Sequence, residues 1–206
     1  MKFYMTPGSC TTGIHILLEE LDLAFEVYPV NLLAGDNKTT DYLALNPKGT
    51  IPTLVKDDGG AITEFQAIAY WLARKYPRRG LLPPDLDQEI RVIEVMDYAV
   101  ATLHMQGFAR IFTTANFAQR EEDHEAIAAK GRAIVKAAFT VIDGYLAGRD
   151  YVADTFSIAD AALFYCEFWA DKTGIPMPAS VDAHYRRLLK RPAVARVLAE
   201  EGYRMS

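Results

Sequence analysis

The stretch Lys2-Phe3-Tyr4-Met5-Thr6-Pro7-Gly8-Ser9-Cys10-Thr11-Thr12-Gly13 decides how the chain begins to fold. Lys2 to Thr6 reads as a short strand, and Pro7-Gly8 ends it: proline lacks an amide donor and glycine accepts positive φ. From Thr11 to Leu21 the pattern turns helical, and Phe25 to Leu32 is again of β type, so the chain opens β-α-β. Further on, Thr53 to Lys56 and Ala61 to Thr63 flank Asp57-Asp58-Gly59-Gly60. Asp and Gly tolerate the backbone of a tight turn, which predicts an antiparallel hairpin. Glu64 to Tyr76 closes this region as a helix. An α/β domain with a mixed four-stranded sheet is expected over residues 1-76.

Beyond Tyr76, Pro77-Arg78-Arg79-Gly80-Leu81-Leu82-Pro83-Pro84 crowds helix breakers together, so residues 77-87 read as a linker. From Gln88 onward the long segments carry apolar residues at helical spacing, for example Ile90, Ile93, Val100 and Leu103, then Ile134, Ala138, Val141 and Tyr145. Residues 88-206 are expected to form an all-helical domain.

Of the 206 residues 50% are hydrophobic, enough for a packed core, and a net charge of -5 offers no basic surface for a phosphate backbone. No nucleic-acid partner is expected. No uninterrupted apolar run approaches the roughly 18 residues of a membrane span, and the start lacks a secretory h-region, so a cytoplasmic protein without a membrane partner is expected. The two cysteines, Cys10 and Cys166, suit a reducing compartment.

Three places suggest chemistry. Cys10 lies where a strand gives way to a helix, and the amides of a helix start favour a thiolate, lowering a thiol below its free value of about 8.5. The same residue is equally read as a small buried hydrophobe. Ile51-Pro52 precedes a strand; a cis bond there would turn the Ile51 backbone outward to pair with a peptide-like ligand, whereas a trans proline at an edge strand is the ordinary case. Glu64 opens a helix, where amides can bind a ligand carboxylate while Glu64 meets an ammonium; simple acidic capping is the alternative.

Taken in order with Asn46-Pro47-Lys48-Gly49, Tyr70-Trp71-Leu72, Leu103-His104 and Phe156-Ser157-Ile158-Ala159-Asp160-Ala161, these features resemble the glutathione S-transferase family, its bacterial beta class in particular, over nearly the whole chain. The resemblance implies a thioredoxin-like N-terminal domain that binds glutathione as co-substrate, and a helical C-terminal domain that lines the site of a small apolar electrophile. It places the glutathione sulfur beside Cys10, its cysteinyl backbone against Ile51 ahead of cis Pro52, and its γ-glutamyl end at Glu64 and the amide of Phe65. It further implies a homodimer in which Asp97 reaches the partner subunit's γ-glutamyl group. Thr11 is a second candidate for hydrogen-bonding the sulfur, and His104 a candidate for facing glutathione. Ser157-x-x-Asp160 is a helix-capping pattern and stays outside the active site.

The chain also departs from the family. Met5 stands where beta-class members carry a tyrosine, and Tyr4 points to the other strand face. Phe65 replaces a serine whose hydroxyl binds the γ-glutamyl carboxylate, leaving the backbone amide, with Gln66 as the compensating side chain. The family's lysine after the second strand is missing at Ala34-Gly35, and Lys38 is its substitute. Met105-Gln106-Gly107-Phe108 holds one residue more than the family pattern, which at about 100° per residue would rotate the helix face. His15 reads as packing, His124 and His184 as surface, and Cys166 as core. No metal site is expected among four scattered histidines and two distant cysteines.

The function expected is conjugation of reduced glutathione to soft electrophiles, with thiol-disulfide exchange through Cys10 as a further possibility. A specialised glutathione-dependent lyase, isomerase or dehalogenase, and a non-catalytic binding module on the same scaffold, are the alternatives.

Overall fold

The computed structural model describes residues 1–204, in two compact units: Met1–Arg79 with the chain from Lys190 onward, and Gly80–Leu189. In the first unit the central strand β1 (Lys2–Met5) pairs in parallel with β2 (Glu26–Pro29) and antiparallel with β3 (Thr53–Val55), which pairs antiparallel with β4 (Ala61–Thr63). The sheet order is β2-β1-β3-β4, the mixed four-stranded sheet expected. Alternation along β1 buries Phe3 and Met5 and turns Tyr4 the other way, where its ring stacks on Tyr28 at 4.9 Å. The hairpin closes through Gly60, whose carbonyl accepts from the Lys56 amide at 2.9 Å, with Gly59 at φ 84°.

Helices α1 (Thr11–Glu20) and α3 (Phe65–Lys75) fall where the pattern puts them. The second strand is shorter than read, because the Asn31 side chain accepts from the amides of Leu33 and Ala34 and captures the backbone in a turn. A short helix α2 (Thr40–Leu45) was not anticipated; Thr39 caps it, accepting from the Tyr42 amide at 3.3 Å. Six residues are too few to show a period.

The second unit begins with α4 (Leu86–Tyr98), where the Asp85 side chain accepts the Gln88 amide at 3.0 Å. The helix then widens into a π-helical stretch, Ala99–Phe108, before returning to α5 (Ala109–Phe112); the Ala109 amide bonds to His104, five residues back. Leu103 and Phe108, both within this wider winding, are buried. A Cβ on Gly131 of α6 (His124–Leu146) would lie 2.7 Å from the Gly107 carbonyl oxygen, which is why the crossing uses glycine. Helix α7 (Ile158–Thr173) is buried from Ile158 to Ala170 and forms the centre of the unit, with α8 (Ala179–Leu189) after it. Cys166 is fully buried there, its thiol directed at the Ala99 carbonyl at 3.8 Å.

The chain division drawn from sequence at Tyr76 assigns every later helix to one domain. In the structure α9 (Pro192–Glu200) belongs instead with the first unit, where Arg191 bonds Glu20 of α1 through Nε and Nη2 (2.7 and 2.9 Å) and Arg196 bonds Glu19 at 2.6 Å. Helical period identifies a helix but not the surface it packs on.

His184 corrects the sequence reading outright. It is fully buried, with Nε2 2.9 Å from Asp160 Oδ1 and Nδ1 2.7 Å from Glu167 Oε1. Asp160 also accepts the Val152 amide at 2.9 Å and both the amide and the hydroxyl of Ser157 at 2.7 Å. The capping pattern is thus one side of a buried charge cluster. Ser157→Ala is expected to cost about 0.5–2 kcal/mol, measured by urea unfolding. Loss of glutathione affinity with stability intact would contradict a purely structural role. His124 is half-buried, a ring nitrogen 3.1 Å from the Ala118 carbonyl. Among the described residues, no helix is long and apolar enough to cross a membrane.

Candidate active site

The loop between β1 and α1 is closed by its own hydroxyls. Thr11 donates to the Thr6 carbonyl at 2.9 Å and accepts from the Thr6 amide at 3.2 Å. Its only proton being used, it accepts from the Ser9 hydroxyl at 2.7 Å, while Ser9 accepts the Thr11 amide at 3.1 Å. Thr11 therefore shapes the loop and has no proton to offer a ligand's sulfur, which corrects its reading as a catalytic candidate.

Cys10, the residue capping α1, is 8% exposed and directs its thiol at the Ile51 carbonyl oxygen, 3.9 Å away. Burial pushes this thiol up to about 12, Glu64 adds to the rise, and the amides of Cys10 and Thr11 only partly oppose it. The lowering expected at a helix start is overturned. Withdrawal from water outweighs two amide dipoles, so the thiol is neutral at pH 7.

The Ile51-Pro52 peptide is cis. Pro52 is buried and Ile51 half-buried at the mouth of β3. Glu64 has φ 74°, a backbone region few side chains occupy, and its carboxylate does not cap α3. It turns outward, 55% exposed, to meet Lys48 Nζ at 2.6 Å, and the same ammonium donates to the Thr63 hydroxyl at 2.7 Å. Of the two residues that follow, Phe65 puts its ring into the core and Gln66 is half-buried. Lys38 is exposed and reaches back to the Gly49 carbonyl at 3.1 Å.

A residue from the far end of the chain holds this loop. Glu201, 9% exposed, accepts the Gly8 amide at 2.7 Å and the Thr12 hydroxyl at 2.7 Å on one carboxylate oxygen, and lies 3.0 Å from His15 Nδ1 on the other. Gly8 sits at φ 70°, and a Cβ there would lie 1.9 Å from the Tyr203 hydroxyl.

In the second unit, His104 is enclosed by rings, edge-on to Trp169 at 4.8 Å and Tyr165 at 5.7 Å, with Nδ1 3.4 Å from the Tyr165 hydroxyl. Burial pushes its imidazole down to about 4, so it is neutral at pH 7. Phe108 and Phe112 extend the cluster, both 5.3 Å from Trp169, and Phe112 is 49% exposed, giving an apolar aromatic wall open on one side. Asp97 is exposed on α4.

Residues 8–75 match the model of the glutathione S-transferase N-terminal domain, and residues 118–200 that of the glutathione S-transferase C-terminal domain. A glutathione S-transferase of Xanthomonas campestris, GST-4.5, is 32% identical across 98% of this chain and 99% of its own. The chain belongs to the glutathione S-transferase family. Among solved structures, a sphingomonad glutathione S-transferase complexed with glutathione is 32% identical with TM-score 0.84, over 98% of the transferase described here and 99% of its own chain. The beta-class enzyme of Sphingomonas chungbukensis is 30% identical with TM-score 0.83, over the same shares. The thioredoxin-like N-terminal domain and helical C-terminal domain of the family account for the two kinds of structure observed.

Within the transferase's first unit stand Cys10, Thr11, Lys38, Ile51, Pro52, Glu64, Phe65 and Gln66; His104 and Asp97 belong to the second. Sequence reasoning missed Lys48 as the partner of Glu64, although it quoted the lysine. It missed Glu201 altogether, since nothing in Ala199-Glu200-Glu201-Gly202 signals that one carboxylate of a polar tail turns inward.

Proposed function

We propose that this transferase conjugates reduced glutathione to soft, apolar electrophiles, and that the sulfur of glutathione, not that of Cys10, is the attacking atom. The observation that carries the reading is the burial of the Cys10 thiol, 8% exposed at the start of α1 and directed at the Ile51 carbonyl, which keeps its proton in place. A thiol with its proton in place is a poor nucleophile but can donate an S–H bond to a thiolate beside it. Glutathione gives up its thiol proton to solvent, its sulfur forms the new bond to carbon, and the leaving group departs with its electron pair. The Ile51 backbone pairs with the cysteinyl unit, and Glu64 meets the γ-glutamyl ammonium. The amides opening α3 at Phe65 and Gln66 take its carboxylate, and Lys38 supplies a cation near Gly49. The aromatic wall of His104, Phe108, Phe112 and Trp169 suits an apolar co-substrate.

Calorimetric titration of glutathione near pH 7 tests this, with Cys10→Ala and Glu64→Gln as companions. Binding in the micromolar to low millimolar range is expected. Cys10→Ala should still conjugate an activated aryl halide, whereas Glu64→Gln should bind glutathione at least about tenfold more weakly, because a bond to a charged group contributes about 1.5–3 kcal/mol. No heat and no thermal shift at ~10 mM glutathione would sink the reading. Thiol-disulfide exchange through Cys10 is the second reading, favoured by the two amides that face its sulfur. Unchanged turnover of a glutathione mixed disulfide by Cys10→Ala would remove it. We place the enzyme in the cytoplasm, where reduced glutathione is abundant, and as a homodimer in which Asp97 reaches the partner subunit's glutathione. Sedimentation of the purified chain checks the dimer.

A further inference from the structure

His15 and Glu19 are one turn apart on α1, and Glu200 ends α9 beside them. The ring nitrogen of His15 and one oxygen of each carboxylate lie within 4.8 Å of one another. Acidic groups near a histidine are commonplace, but the placement of this ring is not. His15 is 2% exposed, and its Nδ1 lies 3.0 Å from Glu201 Oε1. A carboxylate oxygen only accepts, so Nδ1 carries the proton. The other Glu201 oxygen is taken by Gly8 and Thr12, which holds the carboxylate, and with it the tautomer, in place.

Nε2 of the same ring is buried and makes no hydrogen bond, although it faces Glu200 Oε2 at 3.2 Å. The nitrogen thus stands 3.2 Å from a carboxylate oxygen with no hydrogen bond between them, a gap that a divalent cation bonded to both atoms would close. Two ligands about 2.0–2.1 Å from a tetrahedral zinc ion are separated by about 3.3 Å. A histidine whose distal nitrogen is pinned by a second carboxylate is also the usual support for a metal-ligating imidazole.

We propose that His15 Nε2, Glu200 and Glu19 form a site for a divalent cation of the zinc class, completed by water. Arg196 is the cation that competes for it: its guanidinium holds Glu19 Oε2 at 2.6 Å, leaving the other Glu19 oxygen for the ion. Glu20, the next carboxylate on α1, is engaged by Arg191 and is not a ligand. The bound ion joins α1 to α9 and fixes the ring against Glu201, which in turn holds the Gly8 amide two residues before Cys10. Such a site escapes a search for histidine and cysteine clusters, because two of its three ligands are carboxylates drawn from both ends of the chain. It is independent of which electrophile the enzyme uses.

The test is zinc titration of the metal-stripped full-length protein, followed by calorimetry and thermal unfolding. It is run in a Cys10→Ala, Cys166→Ala background so that thiols contribute nothing. One zinc ion per chain is expected, with a rise in Tm that tracks zinc concentration. Glu200 is 49% exposed, so Glu200→Gln keeps the fold; it should bind at least tenfold more weakly. Long-range nitrogen NMR of the imidazoles should show zinc moving the Nε2 signal of His15 while its Nδ1 stays protonated. Zinc binding unchanged by Glu200→Gln, no binding at ~1 mM zinc, or a shift confined to another histidine would each overturn the proposal.

Discussion

Replacing His184 by alanine is expected to destabilise the protein by about 3–5 kcal/mol, the range for removing one partner of a buried ion pair. The ring stands between two fully buried carboxylates, Asp160 and Glu167, and each of its nitrogens makes a hydrogen bond to one of them. Both therefore carry protons, and the ring is an imidazolium. Burial alone would pull this group down, but the carboxylates win and raise it to about 10, first Glu167 through its charge and then Asp160 through its hydrogen bond. Burial likewise raises Glu167, whose Oε2 is buried without a hydrogen bond. Asp160 accepts three further hydrogen bonds from the chain.

The sign of the pH dependence follows. His184 binds its proton more tightly folded than unfolded, so its contribution is complete below about 6.5 and disappears as pH rises through about 10. Glu167, also raised, acts in the same direction from its ordinary range upward. Tyr185 and Cys10 are raised as well, but their unfolded values of 10.0 and 9.0 delay their effect until the pH approaches 9. Between pH 7 and 8, then, a fall in stability belongs to the His184 cluster. Urea unfolding across that range should slope downward for the parent and run nearly level for His184→Ala. Parallel slopes would show that the ring is not charged in the folded protein.

Glu201→Ala should have the second-largest effect and should also reach the site. It removes the acceptor of the Gly8 amide and the Thr12 hydroxyl and the partner of His15 Nδ1. Each buried donor left without an acceptor costs about 1–3 kcal/mol, so a loss of about 3–5 kcal/mol is expected, about 10 °C or more in Tm at this chain length. Because Gly8 precedes Cys10 by two residues, KM for glutathione should rise more than kcat falls. A variant that loses stability while glutathione KM is unchanged would make Glu201 a purely structural residue. Gly8→Ala provides the complementary check: its Cβ would overlap the Tyr203 hydroxyl at a positive φ, so it should weaken glutathione binding with Glu201 intact.

Much of the fold was legible because it depends on local rules. The period of two in Lys2 to Met5, the Asp-Gly turn at Gly59 and the Ser157-x-x-Asp160 cap each state their structure within a few residues. The candidate site was legible only as a set of positions. Cys10, Ile51-Pro52 and Glu64 could be singled out by their neighbours in sequence, but whether the Cys10 thiol is charged depends on how much water reaches it. Local reasoning saw the helix amides and not the burial that outweighs them. Thr11 failed for a related reason, since a hydroxyl's one proton goes to whichever acceptor the loop presents, here the Thr6 carbonyl.

The sequence by itself determined the β-α-β opening, the antiparallel hairpin, the helical second half and the family, because these rest on periodicity, turn chemistry and motif order along the chain. Tertiary structure alone decided the partners of the ionisable groups. His15 and His184 sit among ordinary neighbours in sequence, yet one meets Glu200 and Glu201 and the other Asp160 and Glu167, at separations of 17 to 186 residues. Electrostatic energy depends on distance and on exclusion of water, and neither is a property of a segment. The same holds for α9, which any reading by period joins to the helices before it and which its arginines tie instead to α1.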